Sequence, residues 1–273
     1  MAFQQKTVVL GIGKMAGALV KGWVSSKLIP ASKIIGIRSD ASKIKQTASQ
    51  LKIKVTTDAT SSLKGAQIVI LGVKPQKIKE VLGQVGSEIP KKALVVSIVA
   101  GVSTEQIEKL LPQGCPVVRV MPNTPSLLNA GMAAVAGGKR AKATQVKLVL
   151  KLFAAVGKSI EVKEDQMDWV TAVSGSGPAY IFHMIEAMTA AGVRGGLSEK
   201  VALELVTQTV FGAARMVQET GKSPEELRVQ VTSPGGTTQA ALEKMAELGF
   251  KDLIEKTMTA AAKRGEELRK MNG

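Results

Sequence analysis

Lys6-Thr-Val-Val-Leu10, followed at once by Gly11-Ile12-Gly13-Lys14-Met15-Ala16-Gly17, is the stretch that decides the fold. A short apolar run of β type leads into two glycines one residue apart. An apolar stripe at helical spacing then continues through Leu19, Val20 and Trp23. Strand, glycine turn and helix in that order are the context in which a dinucleotide pyrophosphate is bound. Gly11 makes the tight turn, and Gly13 lets bare backbone approach a ligand. Ala16 stands at the third position, where a small side chain lets helix and strand pack.

Working outward, residues 33–37 read as the second strand, with Arg38-Ser39 at its end. A cation and a hydroxyl there favour the 2′-phosphate of NADPH, while Asp40 close by keeps NADH compatible. Strand and helix keep alternating: strands at 53–56, 67–73, 94–99, 117–121, 131–136 and 158–162, with a helix over 144–155 closed by Gly157. The apolar 67–73 run ends in Val73-Lys74-Pro75, at the carboxyl edge where ligands of open parallel sheets bind.

After Glu164 the period changes to helical. Ser174-Gly-Ser-Gly-Pro178 reads as a glycine–serine loop opening a helix with proline in its first turn. That helix, through Ala191, is apolar nearly all round, so it is expected to be buried in its own domain or by a partner chain. His183 in its middle reads as a core histidine. Ser198 caps the next helix, Gly221 ends it, and Ser223-Pro-Glu-Glu226 is a capping box. Val231-Thr-Ser-Pro-Gly-Gly-Thr-Thr-Gln-Ala240 follows. Pro234 fixes a turn, Gly235 and Gly236 are free to take positive φ, and Thr237 or Thr238 is expected to cap a helix with Leu242, Met245 and Ala246 on its apolar stripe. Such a helix start suits a small carboxylate.

The 273 residues leave room for two domains, and 45% apolar content supplies a core. Aromatics at 3% argue against single-stranded nucleic acid as a partner, which needs stacking platforms. One cysteine and one histidine exclude an internal disulfide and make a His/Cys metal site implausible; no metal is expected. Residues 1–163 carry 25 Lys and Arg against 7 Asp and Glu, whereas residues 164–273 carry 12 against 15. The +15 net charge therefore belongs to the first half, spread out rather than in one basic run, as suits a phosphate-rich small ligand. Lys14 interrupts the first apolar run, and the 93–102 stretch is too short to span a bilayer. No targeting segment and no membrane are expected, and the expected compartment is cytoplasmic.

Cys115 has no neighbouring base in sequence, and no G-x-S-x-G elbow occurs. A dinucleotide site, an anion-binding helix start and no strong acid or base together suit hydride transfer to a cyclic imine, which accepts hydride once protonated. Backbone N–H groups of the 235–238 turn would hold a carboxylate, and a threonine hydroxyl would serve the ring nitrogen.

These motifs together resemble the pyrroline-5-carboxylate reductase family. Val231-Thr-Ser-Pro-Gly-Gly-Thr-Thr238 is similar to its signature. It stands with Ser174-Gly-Ser-Gly-Pro-Ala-Tyr180, Val73-Lys-Pro75, Met121-Pro-Asn-Thr-Pro125 and the Gly11–Ala16 turn, in the family's order over nearly the whole chain. The resemblance implies an α/β fold: an N-terminal Rossmann-type parallel-sheet domain, residues 1–163, followed by an all-α dimerisation domain, residues 164–273. It implies an intertwined homodimer that assembles further, commonly to a decamer, and NADPH or NADH reducing Δ1-pyrroline-5-carboxylate to L-proline. The implied cofactor contacts are Gly11, Ile12, Gly13, Lys14, Met15, Ala16, Arg38, Ser39, Val73, Lys74, Pro75, Ala100 and Asn123. The implied substrate contacts are Gln230, Ser233, Gly235, Gly236, Thr237 and Thr238, with Thr238 nearest the imine nitrogen. Gln230 departs from the asparagine some members have there. Two rivals differ in what they require. A β-hydroxyacid-type dehydrogenase needs a lysine in its central helix, and residues 180–191 contain none. A non-catalytic NADP-sensing regulator needs no carboxylate turn.

Overall fold

A computed structural model describes residues 3–272. Eight strands form one sheet: β1 (Thr7–Leu10), β2 (Ile34–Ile37), β3 (Lys54–Thr56), β4 (Ile68–Leu71), β5 (Leu94–Ser97), β6 (Val117–Met121), β7 (Gly131–Gly137) and β8 (Gly157–Glu161). Their order is β3-β2-β1-β4-β5-β6-β7-β8. Every neighbouring pair is parallel except β6 and β7, which run antiparallel. The first six strands thus have the order of a dinucleotide-binding doubly wound sheet, which reverses beside β1. Helices α1 (Lys14–Ser25), α2 (Ile44–Leu51), α3 (Ala59–Leu63), α4 (Ile78–Val85), α5 (Thr104–Glu108) and α6 (Ala143–Ala154) connect the strands.

Strands β1, β4 and β5 are buried at every residue, which is why they read as unbroken apolar runs. Two clusters fill the two faces, one around Trp23, Val96 and Phe153, the other around Leu10, Leu71 and Ile107. Trp23 anchors the helix that follows the glycine turn. Its ring meets Phe153 edge-on at 6.3 Å, and its Nε1 donates to the Leu152 carbonyl at 2.8 Å. Gly157 does not close α6. At φ +146 it begins β8, where a Cβ would stand 2.0 Å from the Gly131 carbonyl oxygen. Close backbone approach, not helix termination, requires a glycine there.

Helices α7 (Met167–Val170), α8 (Gly177–Arg194), α9 (Glu199–Thr220), α10 (Pro224–Gln230), α11 (Thr237–Glu247) and α12 (Phe250–Met271) follow. The residues up to Ser176, together with those from Ala261 onward, pack as one unit, and Gly177–Ala260 form a second. Ser174 and Gly175 are not in a loop. They belong to a π-helical turn, Thr171–Gly175, continuous with α7. A Cβ at Gly175 would stand 2.4 Å from Met121 Cε, so a larger residue there would require the Met121 side chain to shift.

In the second unit Ser198 and Ser223 cap α9 and α10 as their sequences require, and Gly221 ends α9 at φ +70. Helix α8 packs closely on α9, with a Cβ at Gly192 reaching to 3.2 Å from Ala202 Cβ. Yet only Ala202 and Leu227 are buried among the described residues 177–260. Ile181, Phe182, Met184 and Met188 of α8 are exposed on the single chain. His183 is exposed too and faces Glu186, Nδ1 to Oε2 3.2 Å, so it is not a core histidine. An apolar helix face left open at this scale marks an interaction surface. Among the described residues no helix is long and apolar enough to cross a membrane.

Candidate active site

The register of the sheet brings five strand ends to one edge. Leu10 lies opposite both Ile37 and Leu71, Leu71 opposite Ser97, and Ser97 opposite Arg119. The glycine turn after β1, Arg38 after β2, Val73-Lys74-Pro75 after β4, Ala100 after β5 and Asn123 after β6 all leave the sheet there.

Gly11 takes φ +87, and a Cβ on it would stand 2.6 Å from Val73 Cγ1 and 2.8 Å from Val73 N. Neighbouring Gly72 is equally confined, its Cβ position 2.8 Å from the Gly11 carbonyl oxygen and 3.0 Å from Ala16 Cβ. Ala16 is therefore small for the reason its position implies. Gly11 N and Ile12 N both donate to the Ile37 carbonyl, at 3.1 and 3.0 Å, pinning the turn to β2. Helix α1 then starts at Lys14 with Gly13 as its N-cap and no side-chain cap. The first-turn amides of Lys14, Met15 and Ala16 have no acceptor inside the helix, and the space over Gly13 is open. A bare, positive helix end beside a glycine with no side-chain neighbour fits a pyrophosphate.

Arg38 Nη1 donates to the Ile12 carbonyl at 3.1 Å and to Thr47 Oγ1 at 3.2 Å, so the guanidinium is braced against the glycine turn. Ser39 beside it is exposed. Asp40 is turned to its own backbone. Its carboxylate caps the 41–43 turn through Ser42 N at 3.1 Å, and the Ser42 hydrogen bonds hold its pKa below the usual value. Lys43 faces it at 3.5 Å. The acid that would hold a ribose 2′-hydroxyl is thus engaged locally, and the cation is free to meet a phosphate. Lys74 caps the Pro75–Lys77 turn and is exposed. Asn123 spends its side chain inside the protein: Oδ1 accepts from Met132 N at 2.8 Å, and Nδ2 donates to the Ser174 carbonyl at 3.3 Å. It ties the β6 edge to the π-helical turn.

In the second unit, Gly235 takes φ +69, whereas Gly236 at φ −84 needs no glycine conformation. Gly236, not a threonine, is the N-cap of α11, and Thr237 and Thr238 are its first two residues. Gly235 N donates to Gln239 Oε1 at 2.8 Å, and Gly236 N to the Ser233 carbonyl at 3.0 Å. Those two amides are occupied. The open donors are on the next three residues, the first-turn amides of Thr237, Thr238 and Gln239. Among the described residues neither threonine hydroxyl makes a hydrogen bond. Thr237 is exposed and Thr238 half-buried. Gln230 ends α10, its Oε1 accepting from Lys222 Nζ at 3.3 Å. Cys115 is fully buried, and burial pushes its pKa up to about 11, which removes it as a nucleophile.

A protein of Methanosarcina acetivorans named pyrroline-5-carboxylate reductase is 40% identical over 97% of this chain and 98% of its own length. This chain belongs to the pyrroline-5-carboxylate reductase family. Residues 164–268 match the family model described as pyrroline-5-carboxylate reductase dimerisation. Residues 6–101 match the model described as NADP oxidoreductase, coenzyme F420-dependent. A pyrroline-5-carboxylate reductase of Coxiella burnetii superposes with a TM-score of 0.91 at 36% identity, covering 97% of this chain and 99% of that one. The Plasmodium falciparum pyrroline carboxylate reductase, solved with NADP bound, gives 0.88 at 28% identity, covering 98% and 100%. As a member of the pyrroline-5-carboxylate reductase family the chain is an oxidoreductase that carries the family's dimerisation region. That region explains why the second unit has almost no core of its own. Gln239, which takes the Gly235 amide at 2.8 Å, follows directly on the signature stretch, and no propensity rule singles it out.

Proposed function

We propose that the chain uses NADPH, with NADH as the weaker alternative, to reduce Δ1-pyrroline-5-carboxylate to L-proline, the last step of proline biosynthesis. The observation that carries this reading is the pairing of two bare helix starts in one chain. One follows a glycine turn at a sheet edge, and the other carries two unengaged hydroxyls.

In this reading the reduced nicotinamide supplies a hydride. The chain's own residues do the rest. The Gly11–Ala16 turn, including Ile12, Gly13, Lys14 and Met15, receives the pyrophosphate on first-turn amides. Arg38 and Ser39 receive the 2′-phosphate. Val73, Lys74, Pro75 and Ala100 line the nicotinamide side, and Asn123 acts by fixing the β6 edge. The substrate carboxylate is received by the Thr237 and Thr238 amides, for which Gly235 and Gly236 leave the approach clear, with Ser233 and Gln230 at its margin. Charge-assisted bonds of this type contribute roughly 1.5–3 kcal/mol each. Thr238 Oγ holds a proton at the imine nitrogen.

The exposed apolar faces of α8 and α9 are covered by a second copy, and the homodimers assemble further, to a decamer. The functional division falls at residue 164, where the dimerisation match begins. The working compartment is the cytoplasm. Crystals grown with L-proline test the substrate site. The carboxylate is expected on the Thr237 and Thr238 amides, and density for the amino acid elsewhere would overturn the assignment.

A further inference from the structure

The Ala100-Gly101-Val102-Ser103 segment carries the strand end nearest the proposed nicotinamide side, and it is held from outside the sheet. Gly101 takes φ +65, and a Cβ there would stand 3.2 Å from Leu268 Cβ and 3.5 Å from Asn272 Nδ2. Asn272 Nδ2 donates to the Gly101 carbonyl at 3.1 Å. Gln106 Nε2 donates to the Arg269 carbonyl at 2.8 Å. Arg269 Nε in turn meets Asp168 Oδ2 at 3.0 Å. From the other side, Glu164 Oε1 accepts from Thr104 N at 3.1 Å and from Arg119 Nη1 at 3.0 Å. The Arg119 side chain is only 2% exposed.

Gln106 serves two contacts at once. It is the N3 residue of α5, where a capping box takes glutamate or glutamine equally well. Its Oε1 accepts from Ser103 N at 2.7 Å, a task either residue performs. Only glutamine also has the Nε2 donor that reaches the C-terminal helix. The residues that grip this turn, Glu164, Arg269 and Asn272, lie at the first position of the matched dimerisation region and just past its last.

We propose that Glu164 and the last turn of α12 form a clamp on the 100–106 turn, with Gln106 and Asn272 as positioning residues that set the affinity for NADPH. The clamp rests on the assignment of Ala100 to the cofactor side. Its role is to keep the turn from relaxing between cofactor-bound and free forms, so losing a clamp bond makes cofactor binding bear the cost of ordering the turn.

Gln106→Glu keeps the capping box and sets a carboxylate oxygen against the Arg269 carbonyl. Asn272→Asp does the same against the Gly101 carbonyl. In the full-length protein each is expected to raise the NADPH Kd, read by nucleotide fluorescence, by about three- to ten-fold, the range for one lost hydrogen bond. The KM for pyrroline carboxylate stays unchanged. Lys270→Ala, an exposed neighbour on the same turn, leaves both unchanged. An unaltered Kd in both variants refutes the clamp, as does a parallel rise in both substrates' KM with a lowered Tm, which marks a purely structural latch. Where Gln106→Glu fails to fold, Asn272→Asp decides alone. A wild-type protein that does not bind NADPH refutes instead the functional reading beneath it.

Discussion

Replacing Arg38 by alanine separates two roles that the structure gives one guanidinium. Nη1 braces the glycine turn by donating to the Ile12 carbonyl, a bond that serves either cofactor. Its loss costs about 1 kcal/mol, roughly a five-fold weakening for NADPH and NADH alike. A contact with the 2′-phosphate exists only for NADPH. A charge-assisted bond in this half-buried position contributes about 1.5–2 kcal/mol, a further roughly ten- to thirty-fold. NADPH should therefore weaken by about 50- to 150-fold and NADH by only about five-fold. Fluorescence titration of both cofactors on wild type and Arg38→Ala measures the two factors directly. Arg38→Lys, which keeps the charge but loses the planar fork, should fall between them. Equal weakening of NADPH and NADH would refute the phosphate role and leave only the brace.

Thr238→Ala is expected to lower kcat by about 10- to 1000-fold, as for one lost transition-state donor, and steady-state kinetics with unchanged turnover would remove it from the chemistry. Gly11→Ala combines a φ of +87 with a Cβ 2.6 Å from Val73 Cγ1, so cofactor binding should be lost and Tm lowered, by roughly 1–3 kcal/mol of strain. Cys115, with its pKa raised to about 11, should resist iodoacetamide in the native protein and react on denaturation. Because the folded state holds that proton more tightly, its contribution to stability is present below the unfolded value of 9.0 and is lost as pH rises towards 11, which thermal melts across that range detect.

What the residues disclose depends on how local the physics is. The roles of Ser198 and Ser223 are set within a few residues of chain, and each caps the helix its sequence requires. Gly157 resembles a helix stop in sequence, but its reason, the backbone of Gly131, lies 26 residues away on another strand. His183 sits on an apolar helix, a pattern that implies burial, yet its side chain is 85% exposed on the single chain. Gly236 rather than a threonine is the N-cap of α11, and the Gly235 amide finds Gln239, a side-chain partner that propensity does not encode. The π-helical turn at Ser174 has no period of its own to read. Within it Gly175 lies against the Met121 side chain, a long-range contact that no local pattern announces.

The central claim is a chemical one, and product analysis tests it most directly. The purified protein is given NADPH and Δ1-pyrroline-5-carboxylate, and nucleotide oxidation is compared with amino acid formed. The account predicts one L-proline for each NADPH consumed. NADPH that binds and is not oxidised, or is oxidised with no proline formed, would contradict it.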